Sequence, residues 1–117
     1  MRKIAVHYSK EHNVFHLQFG VGYFFLCHHQ MTRLLHSIRE TEADTFTQAY
    51  ICALNAFEID LSSDLLPEIQ LSFGNLVVRM NRKELLYFLT LLWENFEHLM
   101  EQISSYFSEE PPKLLLV

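Results

Sequence analysis

Cysteine is almost missing from this 117-residue chain: Cys27 and Cys52 are all it has, too few for a disulfide framework. Basic residues are scarce too. Nine Lys and Arg stand scattered against 14 Asp and Glu, for a net charge of −5. Phosphate contacts dominate nucleic-acid affinity, so an acidic chain without a basic stripe is not expected to bind DNA or RNA. The same lack argues against an anionic membrane surface. No run approaches the roughly 18 consecutive apolar residues that a spanning helix needs. Nor does an apolar signal segment follow Met1-Arg2-Lys3, because Ile4-Ala5-Val6-His7-Tyr8-Ser9-Lys10 is mixed. These absences lead to the expectation of a cytoplasmic protein with reduced thiols.

What the chain does have is apolar bulk and a repeat. Half of its residues are hydrophobic, and ten are Phe, ample for one core in a single domain spanning residues 1–117. Phe15-His16-Leu17-Gln18-Phe19-Gly20 returns 54 residues later as Ile69-Gln70-Leu71-Ser72-Phe73-Gly74. Leu26 then answers to Met80, Met31 to Leu85, Leu34 to Phe88, Leu35 to Leu89 and Ile38 to Leu92. Self-similarity at a fixed offset signals one supersecondary unit used twice, since a single unit cannot bury its own apolar face.

The second copy spells the unit out. Ile69, Leu71 and Phe73 alternate with polar residues, the period-2 signature of a half-buried strand. Gly74-Asn75 suits a two-residue hairpin turn, which pairs Phe73 with Leu76, Leu71 with Val78 and Ile69 with Met80 on one face. Asn81 and Glu84 have capping-box spacing. From there Leu85, Phe88, Leu89, Leu92, Phe96, Leu99, Ile103 and Tyr106 mark one face of a helix running to about Phe107, roughly 39 Å long. Leu86, Leu91, Trp93, Met100 and Phe107 widen that stripe.

Carrying the same loop to the first copy pairs Phe19 with Gly22, Leu17 with Phe24 and Phe15 with Leu26 as the inner face. His16, Gln18, Tyr23, Phe25 and Cys27 then face outward. Gly20-Val21-Gly22 also allows a three-residue loop, which would swap the faces of the second strand; the other copy favours the shorter one. The helix is expected from His28, with Cys27, a poor capper, at its cap position. Repeat one therefore covers about 13–39 and repeat two about 67–107. A connecting helical segment at 40–66 starts with Asp44 or Thr45 as cap and shows Phe46, Ala49, Tyr50, Ala53 and Phe57 on one face. Phe57, Ile59 and Leu61 alternate, so that segment ends extended; Ser62-Ser63-Asp64 reads as a loop and Pro67 as the entry to the second hairpin. Residues 108–117 form a tail with two prolines and an apolar end. The fold class is α+β: a duplicated β-β-α unit, two antiparallel hairpins with helices on one face, and a long C-terminal helix.

Phe19-Gly20 and Phe73-Gly74-Asn75-Leu76, each between alternating strands and ahead of an amphipathic helix, carry a resemblance. The chain resembles short uncharacterised bacterial proteins built on a repeated strand, Phe-Gly-Asn turn, strand and helix. That resemblance covers about half of the chain and implies a fold without a function. The first copy departs from it with Val21 where the second has Asn75.

Chemistry is thin. Six of the seven histidines fall within the first 36 residues. In the two-residue-loop register His12 faces His29, with His16 and Cys27 on the same side. Imidazole and thiolate are zinc ligands, so His12, His16, Cys27 and His29 form the candidate metal set, against the plainer reading of polar positions on a half-exposed strand. Cys27 beside His28 and His29 near a helix start suggests a lowered thiol pKa, but no orienting carboxylate accompanies it. Cys52 reads as a buried thiol. Gly20-x-Gly22 lacks the third glycine and the Lys-Ser/Thr of a phosphate loop and joins two strands, so it is a turn. Glu40, Glu42 and Asp44 read as a solvated helix start. Tyr23, Phe25 and Val77 occupy outer sheet positions that a solvated face would fill with polar residues, which marks a contact surface. The expected function is that of a small non-enzymatic interaction or structural protein, self-associating as a homodimer. The alternative is a small metal-binding module using the N-terminal His and Cys residues.

Overall fold

The structure, a computed structural model, describes residues 3–56, 58–59, 68–73 and 76–108. Strands β1 (Ile4–Ser9), β2 (Val14–Phe19) and β3 (Gly22–Cys27) lead into helices α1 (His28–Thr41) and α2 (Ala43–Asn55). Strands β4 (Glu68–Phe73) and β5 (Leu76–Asn81) then lead into α3 (Arg82–Asn95) and α4 (Glu97–Ser108). The fold is α+β, with one three-stranded antiparallel sheet, one separate two-stranded hairpin, and helices packed on the sheets.

Both hairpins take the register set by a two-residue loop. Phe19 pairs with Gly22, Leu17 with Phe24 and Phe15 with Leu26; 54 residues on, Phe73 pairs with Leu76, Leu71 with Val78 and Ile69 with Met80. Gly20 takes φ 63° at the first central position of its loop, where glycine has no Cβ to clash. The expected turn residues Gly74 and Asn75 lie outside the described residues, as do Phe57, Leu61, the expected loop Ser62-Ser63-Asp64, Pro67 and the tail beyond 108.

The first sheet also holds a strand that the sequence reading did not expect. Residues 4–10 looked mixed, yet Ile4, Val6 and Tyr8 alternate inward and join the core, and β1 pairs along the whole of β2. The connecting turn places Asn13 at φ 54°, and Tyr8 Oη donates a hydrogen bond to its Oδ1.

The helix starts repeat as well. Asn81 Oδ1 accepts from the Glu84 amide at 2.7 Å, and Glu84 Oε1 accepts from the Asn81 amide at 3.0 Å. At the matching position Cys27 Sγ accepts from the Gln30 amide at 3.5 Å, while the Cys27 amide donates to Gln30 Oε1 at 2.9 Å. Cys27, a poor capper by type, thus closes a capping box because Gln30 supplies the reciprocal half.

The helices depart from expectation in one informative way. The long C-terminal helix is two consecutive helices, broken at Phe96 (φ −135°, ψ 46°), and the first copy breaks identically at Glu42 (φ −129°, ψ 50°). Glu42 and Phe96 are 54 residues apart. Each break residue donates its amide to the carbonyl four back, Ile38 or Leu92, at 2.7 Å, and accepts from the amide four ahead, Phe46 or Met100. The segment taken as a connector is therefore the second helix of the first copy, and the repeated unit is β-β-α-α. Its start also differs from the expected cap: no side chain caps α2, and the Thr45 hydroxyl instead donates to Glu42 Oε2 at 3.4 Å. At its end Ala56 sits in the left-handed region, with φ 54° and ψ 40°.

The expected helix faces are inside. Met31, Leu34, Leu35 and Ile38 of α1 and Leu85, Phe88, Leu89 and Leu92 of α3 are buried in one cluster with Leu17, Phe46, Leu71, Met80, Leu99 and Ile103. The copies interlock through it: α2 lies against α3, and α4 against α1. Trp93 of α3 meets Phe46 and Tyr50 of α2, with ring centroids 5.9 and 4.7 Å away. Phe88 of α3 meets Phe19 of the first sheet at 5.3 Å.

The caps generate a stability prediction. Asn81→Ala is expected to cost about 1 kcal/mol, because a part-buried helix start loses an oxygen acceptor. Cys27→Ser is expected to gain a few tenths of a kcal/mol, since oxygen accepts better than sulfur at the same position. Urea denaturation midpoints with an unchanged m-value check both.

Candidate functional site

The outer face of the three-stranded sheet is the most unusual surface among the described residues. Its three cross-strand rows are Ala5–Gln18–Tyr23, His7–His16–Phe25 and Ser9–Val14–Cys27, fixed by the two registers. None of these residues is Asp, Glu, Lys or Arg. Tyr23 is 63% exposed and Phe25 61%, next to Val21 at the hairpin tip. The middle row is a ring stack: His16 stands edge-on to Phe25 at 4.7 Å and to His7 at 5.9 Å. Its Nε2 is buried without a hydrogen-bond partner among the described residues.

The second copy provides an internal comparison, because the same fold position recurs 54 residues on. The outer positions described there are Gln70, Ser72, Val77, Arg79 and Asn81. Where the first copy has His16, Phe25 and Cys27, the second has Gln70, Arg79 and Asn81. The unit folds with a polar outer face, so Phe25 is not a requirement of the architecture. Val77 is exposed as expected, at 57%, but its neighbours on that hairpin are Ser72 and Arg79. A single exposed valine among polar residues is ordinary surface.

The same comparison exposes a second patch that the sequence reading missed. Tyr50 was assigned to the inner face of α2; it touches Trp93 but is half-exposed, next to exposed Ile51 and Leu54. The positions 54 residues on are Ser104, Ser105 and Ser108. The signal was available in the sequence, but only to a repeat alignment that continued past residue 92.

The candidate metal residues are not brought together. His12 lies in the turn between β1 and β2, with its amide donating to Ser9 Oγ, and its ring faces Glu11 at 3.9 Å. His16 lies mid-sheet, Cys27 caps α1, and His29 is in the first turn of α1. The expected His12–His29 pairing fails because the ladder ends at Val14–Cys27: the chain bends into a helix on one side and toward β1 on the other. Among the described residues no three His, Cys, Asp or Glu side chains converge to hold a metal ion. Cys52 is buried, as expected, and Cys27 is an exposed free thiol.

The remaining features are equally plain. A shallow groove of about 290 Å³ between α3 and residues 58–59 is lined by Glu58, Ile59, Tyr87, Thr90, Leu91 and Glu94. Of its hydroxyls, that of Thr90 donates to the Leu86 carbonyl within its own helix. Of the acidic cluster, Glu42 is not a solvated end. Its carboxylate is largely buried at the α1–α2 break and lies 3.6 Å from Arg82 Nη2, at the start of α3. The equivalent pair, Phe96 and His28, meets around Phe15 instead, with ring centroids 5.3 and 6.3 Å from it. No described helix is long and apolar enough to cross a membrane. No protein-family model, curated protein or solved structure matches the chain.

The separation of the four candidate donors sets a test. Chelator is expected to leave the melting temperature unchanged, and metal analysis of protein purified without an affinity tag to find no stoichiometric zinc. One equivalent of bound zinc with a chelator-sensitive melting temperature would contradict this geometry.

Proposed function

We propose that this chain is a small non-enzymatic interaction protein that self-associates as a two-fold dimer through the β3 side of its first sheet, where Tyr23 and Phe25 are exposed. One observation carries the reading: Tyr23 and Phe25 stand exposed in a surface free of formal charge, whereas the duplicate of that surface carries Arg79 at the position of Phe25. Placing two large aromatics in water forgoes several kcal/mol of burial, on the order of 1.5–3 kcal/mol for each such side chain. A net charge of −5 makes two copies repel in general, and the uncharged surface around Tyr23 and Phe25 lets them meet without opposing like charges. A closed two-fold pair is the commonest way for one patch to cover itself.

Light scattering at increasing protein concentration tests the reading. The mass is expected to rise from 13.9 kDa toward twice that value. Phe25→Arg, which installs the residue of the second copy, is expected to hold the protein at the monomer mass with its helix content intact. A monomer mass for the unaltered chain at the highest concentration reached would refute self-association.

A further inference from the structure

We infer that the two copies join by antiparallel pairing of β3 with β3 of a second copy, making one continuous six-stranded sheet. This rests on the self-association proposed above and specifies its geometry: strand edge to strand edge, not face to face.

The backbone defines what the edge offers. The Gly20 amide donates to the Lys3 carbonyl at 2.7 Å, so even-numbered positions next to and along β2 bond toward β1. Odd-numbered β2 residues therefore bond toward β3, through Gly22, Phe24 and Leu26. The N–H and C=O groups of Tyr23 and Phe25 are left pointing at the open edge. No other described strand pairs with that edge.

Strand edges are usually protected by charge, proline or a bulge. β3, with the sequence GYFFLC, has none of these, and its ladder with β2 is uninterrupted. Its duplicate β5, with the sequence LVVRMN, has Arg79. The other edge of the first sheet, β1, is flanked by Lys3 and Lys10. Among these edges, protection is missing where the exposed aromatics are.

The strand is also complementary to itself. Two-fold antiparallel pairing about Phe24 sets Tyr23 opposite Phe25 of the second copy, twice, so the free groups of both residues make four main-chain hydrogen bonds. Aromatic side chains then sit beside aromatic ones on the outer face, a favourable cross-strand pairing. A register shifted toward Cys27 would need an amide that is already donating to Gln30 Oε1. The half-buried Phe24 would be covered by its own symmetry mate. Val21, Tyr23 and Phe25 expose on the order of 400 Å² per copy, and edge pairing covers the flanks of Tyr23 and Phe25 that face the second copy, together with the strand edge and Phe24.

Amide hydrogen exchange read by NMR, in step with light scattering, tests the pairing. At concentrations where the mass is that of the dimer, the Tyr23 and Phe25 amides are expected to exchange at least ~10-fold more slowly than in diluted monomer. A dimer in which both amides exchange at the monomer rate would overturn edge pairing and leave self-association standing through the sheet face. A monomer at every concentration would overturn both.

Discussion

Neither copy of the duplicated unit completes its own core, and the reciprocal placement of helices is what closes it. The second helix of each copy lies on the first helix of the other, α2 on α3 and α4 on α1. Two breaks make this possible, at Glu42 and Phe96, where the backbone leaves helical geometry for one residue and resumes. Because the amide of each break residue still bonds four residues back and its carbonyl four ahead, the redirection leaves neither of those groups unsatisfied. A straight helix of the same length would run past its strands into solvent. Folding it into two arms lets Ile103 and Met100 on one side, and Phe46 and Ala49 on the other, reach the shared cluster.

Much of this was legible from residues alone. The hairpin registers, the inner face of each strand and the buried stripe of α1 and α3 all follow from period-2 and period-3.6 patterns with turn and cap chemistry in agreement. The break at Phe96 was not legible, because no Gly or Pro marks it and the apolar stripe continues through it; a boundary between residues 39 and 44 was expected, but not that Glu42 and Phe96, which share no side-chain chemistry, are equivalent. β1 was hidden because apolar Ala5 as well as His7 falls between Ile4, Val6 and Tyr8, which blurs the alternation, and Lys3 and Lys10 flank it. The exposed aromatics of the candidate surface were readable once the register was known. The convergence expected of the histidines failed at the same point where the register was right: the ladder stops at Cys27, since the capping box there turns the chain into α1.

The duplication gives the surface its meaning. The two hairpins share one register in one chain, so the residues at matching outer positions can be compared directly, although β1 flanks only the first of them. In the buried positions the copies agree in character, Leu17 with Leu71 and Leu35 with Leu89. On the outside they diverge, as with Phe25 against Arg79. Core positions share a volume, whereas the exposed outer positions differ: Tyr23 and Phe25 in the first copy stand where the second has Val77 and Arg79.

The crossed helices also dictate the order in which a nascent polypeptide can mature. When α2 has left the ribosome, the surface it is built to cover does not exist, because α3 begins 27 positions after the last residue of α2. The leading half must wait, with Phe46 and Ala49 uncovered, until synthesis has passed α3, and α1 waits longer still for α4. Such distant dependencies lengthen the search for the native state and leave apolar surface open to other chains meanwhile.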